Sequence, residues 1–327
     1  MKKILLITGA GTIGNMVAAQ AAKGNQFEKI FLADVNPHRE FIATLMNDPR
    51  VEVCRLDITD ATVVMPFFLE NGITHVIDTA CIPHNAESLN LRAYIDVNAY
   101  GLANLLEAAR LKGVEKYVYC SSNAVYDFSG PTKPSGPVNE DWPTLGPGAT
   151  LYDHTKLLGE KLVSLYRQVY ALTAASFRLT VIYGPCPALN MGSKTWFHNV
   201  IATAALQRKL VYESIPRRRL CWMYARDTAN ALVHAALFEG AYPSQVYNVS
   251  SGVLVGIEEI IDALKKVIPN LEVNIGQIKD VGWKFPLDIT RLRQELGFTP
   301  QITLDAAIRE YVEWIWQHPQ LVSGAVD

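Results

Sequence analysis

Residues 3–14 read KILLITGAGTIG, and this stretch decides the fold. Its apolar run is typical of a strand buried on both faces of a parallel sheet. The run leads directly into a G-x-G-x-x-G pattern, formed by Gly9, Gly11 and Gly14, and a helical pattern follows. The first glycine permits a tight turn, the second lets the backbone approach a pyrophosphate, and the third lets helix and strand pack closely. Because a helix N-terminus presents free N–H groups to phosphates, the stretch predicts a dinucleotide site that also includes Thr12 and Ile13.

An acidic residue follows at the spacing that this interpretation requires. Asp34 ends the second apolar run, 20 residues after Gly14. A carboxylate in that place accepts the hydroxyls of the adenosine ribose and repels a 2′-phosphate, so it favours NAD over NADP. His38 and Arg39 lie nearby and weaken this preference a little. An ordinary turn with a surface aspartate is the alternative interpretation.

Outward from this point, short β-branched runs alternate with helical patterns. Such alternation indicates an α/β fold with a doubly wound parallel sheet, Rossmann-like, and here a smaller C-terminal substrate lobe. Turn residues at 183–185 place a boundary at the end of the sixth strand. We expect an NAD-binding domain over residues 1–184, with a returning strand near 246–249, and a mostly substrate-binding lobe over 185–327. The predicted strands are 3–8, 29–33, 51–55, 75–79, 116–120 and 174–178; the predicted helices are 14–23, 61–71, 98–112, 152–170, 197–207, 227–238, 257–267 and 304–317.

Composition and charge exclude several classes of protein. The 327 residues carry 30 Lys and Arg against 32 Asp and Glu, and this net charge of −2 lacks the basic footprint of a nucleic-acid-binding protein. No apolar run is long enough to span a bilayer, and the first residues do not make a signal peptide. Five scattered cysteines without a CxxC pair predict reduced thiols in a cytoplasmic protein. His75, His198 and His234 lack metal-like spacing, so we expect no metal site.

A second constellation concerns proton transfer. Tyr152 and Lys156 lie four residues apart at the start of a predicted helix and so share one face. A phenol with a pKa of about 10 is a poor base at neutral pH, but an adjacent ammonium group favours the phenolate. Ser121 and Ser122 end the fifth predicted strand at the carboxyl edge of the sheet, where ligands bind in open α/β sheets. The pattern predicts that Tyr152 takes a proton from an alcohol while a hydride leaves the carbon, with the serine hydroxyls holding the substrate oxygen.

Together these residues resemble the extended short-chain dehydrogenase/reductase family, the NAD-dependent epimerase/dehydratase group, over most of the chain. Residues 118–126, VYCSSNAVY, are similar to the serine-bearing strand of the family, with Ser122 in the catalytic place. Residues 96–104, DVNAYGLAN, are similar to its Asn-Val-x-Gly-Thr-x-Asn helix. Later landmarks also match, namely Arg178, Tyr183-Gly184-Pro185, Asp227, Tyr247-Asn248-Val249 and the segment ELGFTP at 295–300.

The resemblance implies an NAD-dependent enzyme of carbohydrate metabolism with Ser122, Tyr152 and Lys156 as its catalytic residues. By analogy, Asp57 meets the adenine, residues 79–81 line the cofactor, and Lys156 also binds the nicotinamide ribose. It further implies a homodimer in which helices 98–112 and 152–170 form a four-helix bundle. The expected cofactor-binding residues are Gly9, Gly11, Thr12, Ile13, Gly14, Asp34, Asp57, Ile58, Thr79, Ala80, Cys81, Asn98, Ser121, Tyr152 and Lys156. The expected substrate-binding residues are His84, Ser122, Asn123, Tyr183, Arg218 and Arg219.

Departures from the family pattern narrow the expected chemistry. The glycine loop is one residue shorter between its first two glycines, which alters the local pyrophosphate geometry. Asn123 and Ala124 stand where dehydratases of the family carry an acid, so a 4,6-dehydratase is not expected. Val181 and Leu220 replace an Asn and an Arg that nucleotide-sugar members tend to have. The neighbouring run at 217–219, three arginines, either binds an anionic group of the substrate or forms a solvated basic turn.

Three hypotheses remain open from the sequence. The leading one is an NAD-dependent oxidoreductase that transfers a hydride between NAD and a secondary alcohol of a sugar, polyol or sugar-derived acid, with net NADH production. The first alternative is a nucleotide-sugar epimerase that retains NAD and returns the hydride. The second alternative is a non-catalytic, dinucleotide-binding regulatory protein, against which the complete Ser–Tyr–Lys set argues.

Overall fold

The computed structural model of the chain describes residues 2–83, 90–129, 134–186, 196–217, 219–280 and 285–322. The first half alternates strands with helices, as the sequence predicts. Its elements are β1 (Ile4–Thr8), α1 (Thr12–Lys23), β2 (Lys29–Asp34), α2 (Arg39–Leu45), β3 (Val51–Arg55), α3 (Ala61–Glu70), β4 (His75–Asp78), α4 (Leu91–Ile95), a π-helical segment (Asp96–Gly101), α5 (Leu102–Lys112), β5 (Lys116–Ser122), a 3₁₀ turn (Asn123–Val125), α6 (Leu151–Tyr170) and β6 (Ala174–Leu179).

The second half is less regular. It contains β7 (Ile182–Tyr183), α7 (Trp196–Gln207), β8 (Lys209–Arg217), β9 (Met223–Tyr224), α8 (Ala225–Leu237), β10 (Val246–Val249), α9 (Ile257–Val267), β11 (Glu272–Asp280), α10 (Thr290–Leu296), α11 (Leu304–Gln317) and a 3₁₀ turn (Pro319–Leu321).

Seven parallel strands form one sheet in the order β10-β6-β5-β4-β1-β2-β3, which confirms the predicted doubly wound fold. The order reverses between β1 and β4, so the carboxyl ends of these two strands border the crevice in which ligands bind in open α/β sheets. β10 returns from the second half to pair with β6, with Val246 opposite Ser176. The sheet thereby gathers the glycine loop, the end of β4 and the end of β5 along one edge.

Helices cover both faces of the sheet, and this burial explains its continuous apolar strands. Every residue of β4 and β5 is buried. α1 and α8 pack together on one face, whereas α3, α5 and α6 pack on the other. A separate core forms mainly between α7, α9 and α11 in the C-terminal half, with Phe41 as a contribution from the first half.

Several segments differ from the sequence-based prediction, which does not include α4, α10, β7, β9 or β11. α2 was not predicted, and the predicted helix 98–112 is split into the π-helical segment and α5. The expected arginine-rich turn begins later, because β8 continues as a strand through Arg217 and pairs in parallel with β11. Its partner lies more than 50 residues further along the chain, and non-local pairing of this kind leaves little signal in the local pattern.

Candidate active site

The glycine loop is packed tightly on one side and open on the other. Gly9 has φ +82°, and a Cβ there would lie 2.8 Å from the Cα of Ala80. A Cβ on Gly14 would overlap the carbonyl oxygen of Gly9. A Cβ on Gly11, in contrast, would meet no described atom within 4 Å. The shortened loop therefore keeps both tight contacts and leaves a free approach at Gly11, next to the first turn of α1 that Thr12 and Ile13 begin.

Asp34 joins this loop to the end of β2. Its Oδ2 accepts a hydrogen bond of 2.7 Å from the backbone N–H of Ala10, and its Oδ1 accepts one of 2.9 Å from Asn36. Each carboxylate oxygen retains a second lone pair, so the group can still accept hydroxyls. The predicted ribose-binding carboxylate thus lies beside the glycine loop.

The residues expected to face an adenine lie one strand further along. Asp57 is exposed, and its Oδ1 accepts hydrogen bonds from the backbone and hydroxyl of Thr59 at 2.9 and 2.7 Å. Ile58 is buried, close to where a Cβ on Gly101 would lie. The two residues follow β3 at the same edge of the sheet as Asp34.

The end of β4 and the π-helical segment make the opposite wall. Thr79 Oγ1 lies 2.6 Å from the carbonyl oxygen of Thr8 and 2.9 Å from that of Gly9. Asn98 is buried; its Oδ1 accepts from the N–H of Ile82 at 2.7 Å, and its Nδ2 donates to Thr155 Oγ1 at 3.1 Å. π-helical turns are often found at functional sites, and here the turn brings one amide against both the β4 loop and α6. Ala80 and Cys81 complete this wall and are partly exposed.

The predicted catalytic side chains meet where β5 ends and α6 begins. Thr150 and Asp153 form a capping box that starts α6 one residue before Tyr152. The hydroxyl of Tyr152 is hydrogen-bonded to Ser122. Lys156 Nζ donates to the carbonyl oxygen of Cys120 at 2.8 Å and lies 5.9 Å from the centre of the Tyr152 ring. The structure therefore brings the three predicted residues together.

Burial and charge act in opposite directions on the acid–base pair. Burial raises the pKa of Tyr152 to about 12, while the ammonium of Lys156 and the hydrogen bond from Ser122 pull that pKa down. Burial alone lowers the pKa of Lys156, but the acidic groups around it outweigh burial and raise its pKa well above its ordinary value; they are Cys81, Tyr119, Tyr152 and Asp78. Lys156 thus stays an ammonium, and its charge favours the phenolate.

Sequence reasoning missed a buried carboxylate below the site. Asp78 ends β4 and accepts hydrogen bonds from the Thr8 hydroxyl at 2.6 Å and the Tyr117 hydroxyl at 2.9 Å. Burial raises the pKa of Asp78, and the charge of Lys156 lowers it. An aspartate inside a buried apolar strand is the sequence signal that identifies this residue.

A second missed group supports Ser121. Ser121 is buried, and its Oγ donates to Glu160 Oε1 at 2.6 Å. Glu160 forms a buried ion pair with Arg178, whose Nη2 lies 2.8 Å from Oε2. The spacing of Tyr152, Lys156 and Glu160, each four residues apart, was the signal that would have identified this residue.

The residues expected to bind the substrate are not brought together as the catalytic residues are. Asn123 is buried in the 3₁₀ turn after Ser122, and Tyr183 is buried against the rings of Phe197 and Tyr224. Arg219 donates to Glu259 Oε1 at 2.6 Å and to the carbonyl oxygen of Leu254 at 3.1 Å, so its charge already has a partner. His84 and Arg218 lie outside the described residues.

The described part of the chain offers neither a metal-binding cluster nor a membrane-spanning helix. It contains no group of three or more His, Cys, Asp or Glu side chains arranged to hold a metal ion. No helix in the described ranges combines the length and the apolar character needed to cross a membrane.

Solved structures of similar fold cover nearly the whole chain. A UDP-glucuronic acid 4-epimerase variant from Bacillus cereus, in complex with a fluorinated UDP-glucuronic acid and NAD, matches with a TM-score of 0.79 at 23% identity. The match covers 96% of this chain and 99% of that one. A dTDP-glucose 4,6-dehydratase from Streptomyces venezuelae matches with a TM-score of 0.78 at 20% identity, over 98% of this chain and 99% of the other. These matches agree with the observed seven-stranded parallel sheet.

Sequence comparison is more specific. UDP-glucose 4-epimerase of Mycolicibacterium smegmatis is 29% identical over 94% of this chain and 97% of its own length. A dTDP-glucose 4,6-dehydratase of Escherichia coli is 25% identical over 95% of this chain and 93% of its own length. The sequence model of the NAD dependent epimerase/dehydratase family matches residues 5–250. The match spans the glycine loop, the catalytic edge and the returning strand, and the chain therefore belongs to the NAD dependent epimerase/dehydratase family.

Proposed function

We propose that the chain catalyses hydride transfer between NAD and a secondary alcohol of a sugar, polyol or sugar-derived acid, with Tyr152 as acid and base. The observation that carries this proposal is the Ser122–Tyr152–Lys156 cluster at the carboxyl edge of the sheet, in which Ser122 and Lys156 are buried and Tyr152 is partly exposed. NAD is the cofactor of the family to which the chain belongs. A non-catalytic role would leave this tuned phenol without a purpose.

The residues of the crevice fit a dinucleotide. A Cβ built on Gly11 would meet no described atom within 4 Å, so a phosphate can approach the backbone there. Gly11 precedes the first turn of α1, where backbone N–H groups favour phosphates. Asp34 would accept the adenosine ribose hydroxyls, and Asp57 with Ile58 would border the adenine. Thr79, Ala80, Cys81, Asn98 and Ser121 would line the nicotinamide half of the site. When bound, the cofactor supplies a carbon that accepts and returns a hydride.

Three side chains take part in the transfer of the proton from the alcohol. Ser122 would hold the reacting oxygen, because its Oγ lies next to the Tyr152 hydroxyl. Tyr152 would take the proton from that oxygen as the hydride leaves the carbon, a contribution of roughly 10²- to 10⁴-fold to the rate. Lys156 keeps a positive charge beside the phenol and so stabilises the phenolate that this step uses.

The side chains after Ser122 support hydride transfer without loss of water. Asn123 and Ala124 form the 3₁₀ turn there, and neither carries an acid. We therefore favour an oxidoreductase over a dehydratase, although dehydratases are among the relatives. Arg218 and Arg219 remain our candidates for contact with an anionic part of the substrate, together with His84 and Tyr183.

A nucleotide-sugar epimerase is the second candidate, and the relatives favour it. The relative from Mycolicibacterium smegmatis is named UDP-glucose 4-epimerase and matches almost end to end. An epimerase uses the same three side chains but returns the hydride to the opposite face of the sugar. The difference therefore lies in whether the cofactor stays bound and NADH accumulates.

We also propose an assembly, a compartment and a division of labour within the chain. Exposed apolar residues on α5 and α6 (Leu111, Leu158, Leu165 and Val169) support a homodimer through these helices. Five cysteines without a disulfide are compatible with the cytoplasm. Residues 1–184 with β10 would bind NAD, and residues 185–327 would mostly bind substrate, although α8 packs on the sheet.

One experiment separates the candidates. The purified protein is assayed for bound NAD and then offered sugars, aldonic and uronic acids, and nucleotide sugars while absorbance at the NADH band is followed. NADH that accumulates with a free sugar or sugar acid supports the dehydrogenase. Tightly held NAD, product formation and no net absorbance change support the epimerase. No product from any of these substrates would refute the proposed activity.

A further inference from the structure

Glu160 and Arg178 form a buried, two-pronged ion pair directly behind the catalytic edge. Arg178 Nε donates to Glu160 Oε1 and Nη2 donates to Oε2, both at 2.8 Å. The two side chains are 4% and 5% exposed. Planar guanidinium and carboxylate groups in this arrangement fix each other's orientation as well as their distance.

The pair is connected to α6 and β5 at the place where Tyr152 meets Ser122. Tyr152, Lys156 and Glu160 lie on one face of α6, and each makes one link to β5. Tyr152 is bonded to the Ser122 side chain, and Lys156 is bonded to the Cys120 carbonyl oxygen. Glu160 accepts from Ser121 Oγ at 2.6 Å. Three successive links therefore set how far α6 lies along β5 and how it is rotated.

Arg178 is itself held by elements outside α6. Its Nη1 donates to the backbone carbonyl of Glu140 at 2.9 Å, and its guanidinium lies 4.7 Å from the centre of the Tyr126 ring. The Tyr126 hydroxyl donates to Asn248 Oδ1, on β10, at 2.7 Å. Glu160 is thus anchored, through Arg178, to β6 and to contacts with the Glu140 segment and β10, all outside α6.

We propose that Glu160, held by Arg178, is a positioning residue that sets α6 against β5 so that the Tyr152 and Ser122 hydroxyls meet. The proposal rests on the proposed function, in which those two hydroxyls act on one substrate oxygen. A buried ion pair is a weak source of stability, because removing two charges from water costs about as much as their attraction returns. A pair that adds little stability but fixes two elements is suited to positioning.

The same geometry refines the role of Ser121. Its hydroxyl hydrogen is directed to Glu160, so toward the site this group has only lone pairs to offer. Ser121 can therefore only accept hydrogen bonds there.

The test replaces the ion pair by apolar side chains of similar volume. The double variant Glu160→Leu/Arg178→Met removes both charges. Arg226→Met/Glu310→Leu is the control, because that pair also links two elements, α8 and α11, at 2.6 Å, but away from the catalytic edge and with side chains 33% and 38% exposed. We expect the first variant to melt near the wild type and to bind NAD within about twofold, since no cofactor contact is removed. We expect kcat to fall by on the order of 10²-fold with KM little changed, the effect of a misplaced reacting group. The control should keep kcat. A folded Glu160→Leu/Arg178→Met protein with wild-type kcat would overturn the proposal.

Two further measurements keep the test decisive. If the double variant does not fold, Glu160→Gln removes the charge that holds Arg178 and keeps the shape of the side chain; kcat should fall about tenfold with KM little changed, and an unchanged kcat refutes the positioning role. The crystal structure of the same variant gives a readout without turnover, namely the separation of the Tyr152 and Ser122 oxygens. That separation should increase over the wild type, and an unchanged value contradicts the proposal. A wild type inactive on every sugar would refute the proposed function, while this distance would still test the positioning.

Discussion

The catalytic edge and the segment around Arg219 hold their charges in different ways. At the edge, Lys156 and Glu160 are buried and fixed to β5 by links of 2.8 and 2.6 Å. In the Arg219 segment, the side chain is 43% exposed and its partner Glu259 is 38% exposed. Buried charges keep one geometry, whereas exposed pairs exchange partners with water at little cost. The catalytic edge therefore keeps one arrangement of its charges, whereas the charges of the Arg219 segment remain free to exchange partners.

The largest effect is expected at the rigid edge, from Tyr152→Phe. The substitution removes one oxygen and leaves the ring, so the site keeps its shape but loses its acid and base. We expect kcat to fall by about 10³-fold, within the range known for general acid–base catalysis, with NAD affinity unchanged. Steady-state kinetics and NAD titration check both parts.

Tyr166→Phe is the control for this substitution. Tyr166 is also on α6, but its hydroxyl lies 3.2 Å from Glu107, away from the catalytic edge. The control should retain full activity. Equal rates for Tyr152→Phe and the wild type would show that the edge is not where the chemistry takes place.

The next largest effect is expected from substitutions in the glycine loop. Two of them separate an effect on NAD affinity from an effect on stability. A methyl group on Gly11 meets no described atom within 4 Å, and its φ of −77° suits alanine. Gly11→Ala should therefore keep the melting temperature while weakening NAD by on the order of 10²-fold, because the methyl group occupies the approach to the helix N-terminus.

Gly14→Ala is expected to behave differently. Its methyl group overlaps the carbonyl oxygen of Gly9, so the loop must move and the protein should lose about 1–3 kcal/mol of stability. Calorimetry and NAD titration on both variants check the pair. Unchanged NAD affinity in Gly11→Ala would place the pyrophosphate elsewhere.

Much of the candidate site could be predicted from the sequence, since the glycine loop, Asp34 and the Tyr152–Lys156 pair are short local patterns. The hydrogen bonds of Asp78 and the ion pair between Glu160 and Arg178 could not be predicted in this way, because they join residues from separate strands and helices. Arg219 is the clearest case. Its run of arginines is equally consistent with an anion site and with a solvated basic turn, and only the fold places Glu259, 40 residues later, against its guanidinium.

A smaller effect, about tenfold per pH unit, is expected from the titration of Tyr152. Because burial raises its pKa to about 12, the phenolate is the minor form at neutral pH, and its fraction rises about tenfold per unit as pH increases. Alcohol oxidation should therefore accelerate with pH, and carbonyl reduction, which needs the protonated phenol, should not.

Lys156→Met tests the cause of this dependence. Removing the ammonium removes the charge that lowers the pKa of Tyr152, so the rising limb of the oxidation profile should move to higher pH. The profile of kcat/KM against pH measures the shift. A limb that stays in place would assign the titration to another group.

The smallest effect is expected in the Arg219 segment, and it decides whether the contrast between the two regions is real. The exposed Arg219–Glu259 pair contributes at most about 1 kcal/mol, so neither Arg219→Gln nor Glu259→Gln should change the melting temperature by more than a few degrees. If Arg219 exchanges Glu259 for an anionic substrate, Glu259→Gln removes a competitor and should lower KM about two- to threefold, and Arg219→Gln should raise it by a similar factor.

A neutral sugar is the control, because its KM should respond to neither substitution. Opposite shifts for the anionic substrate alone would identify Arg219 as a recognition group, whereas equal KM values in both variants would make it a structural link between the 219–220 segment and α9.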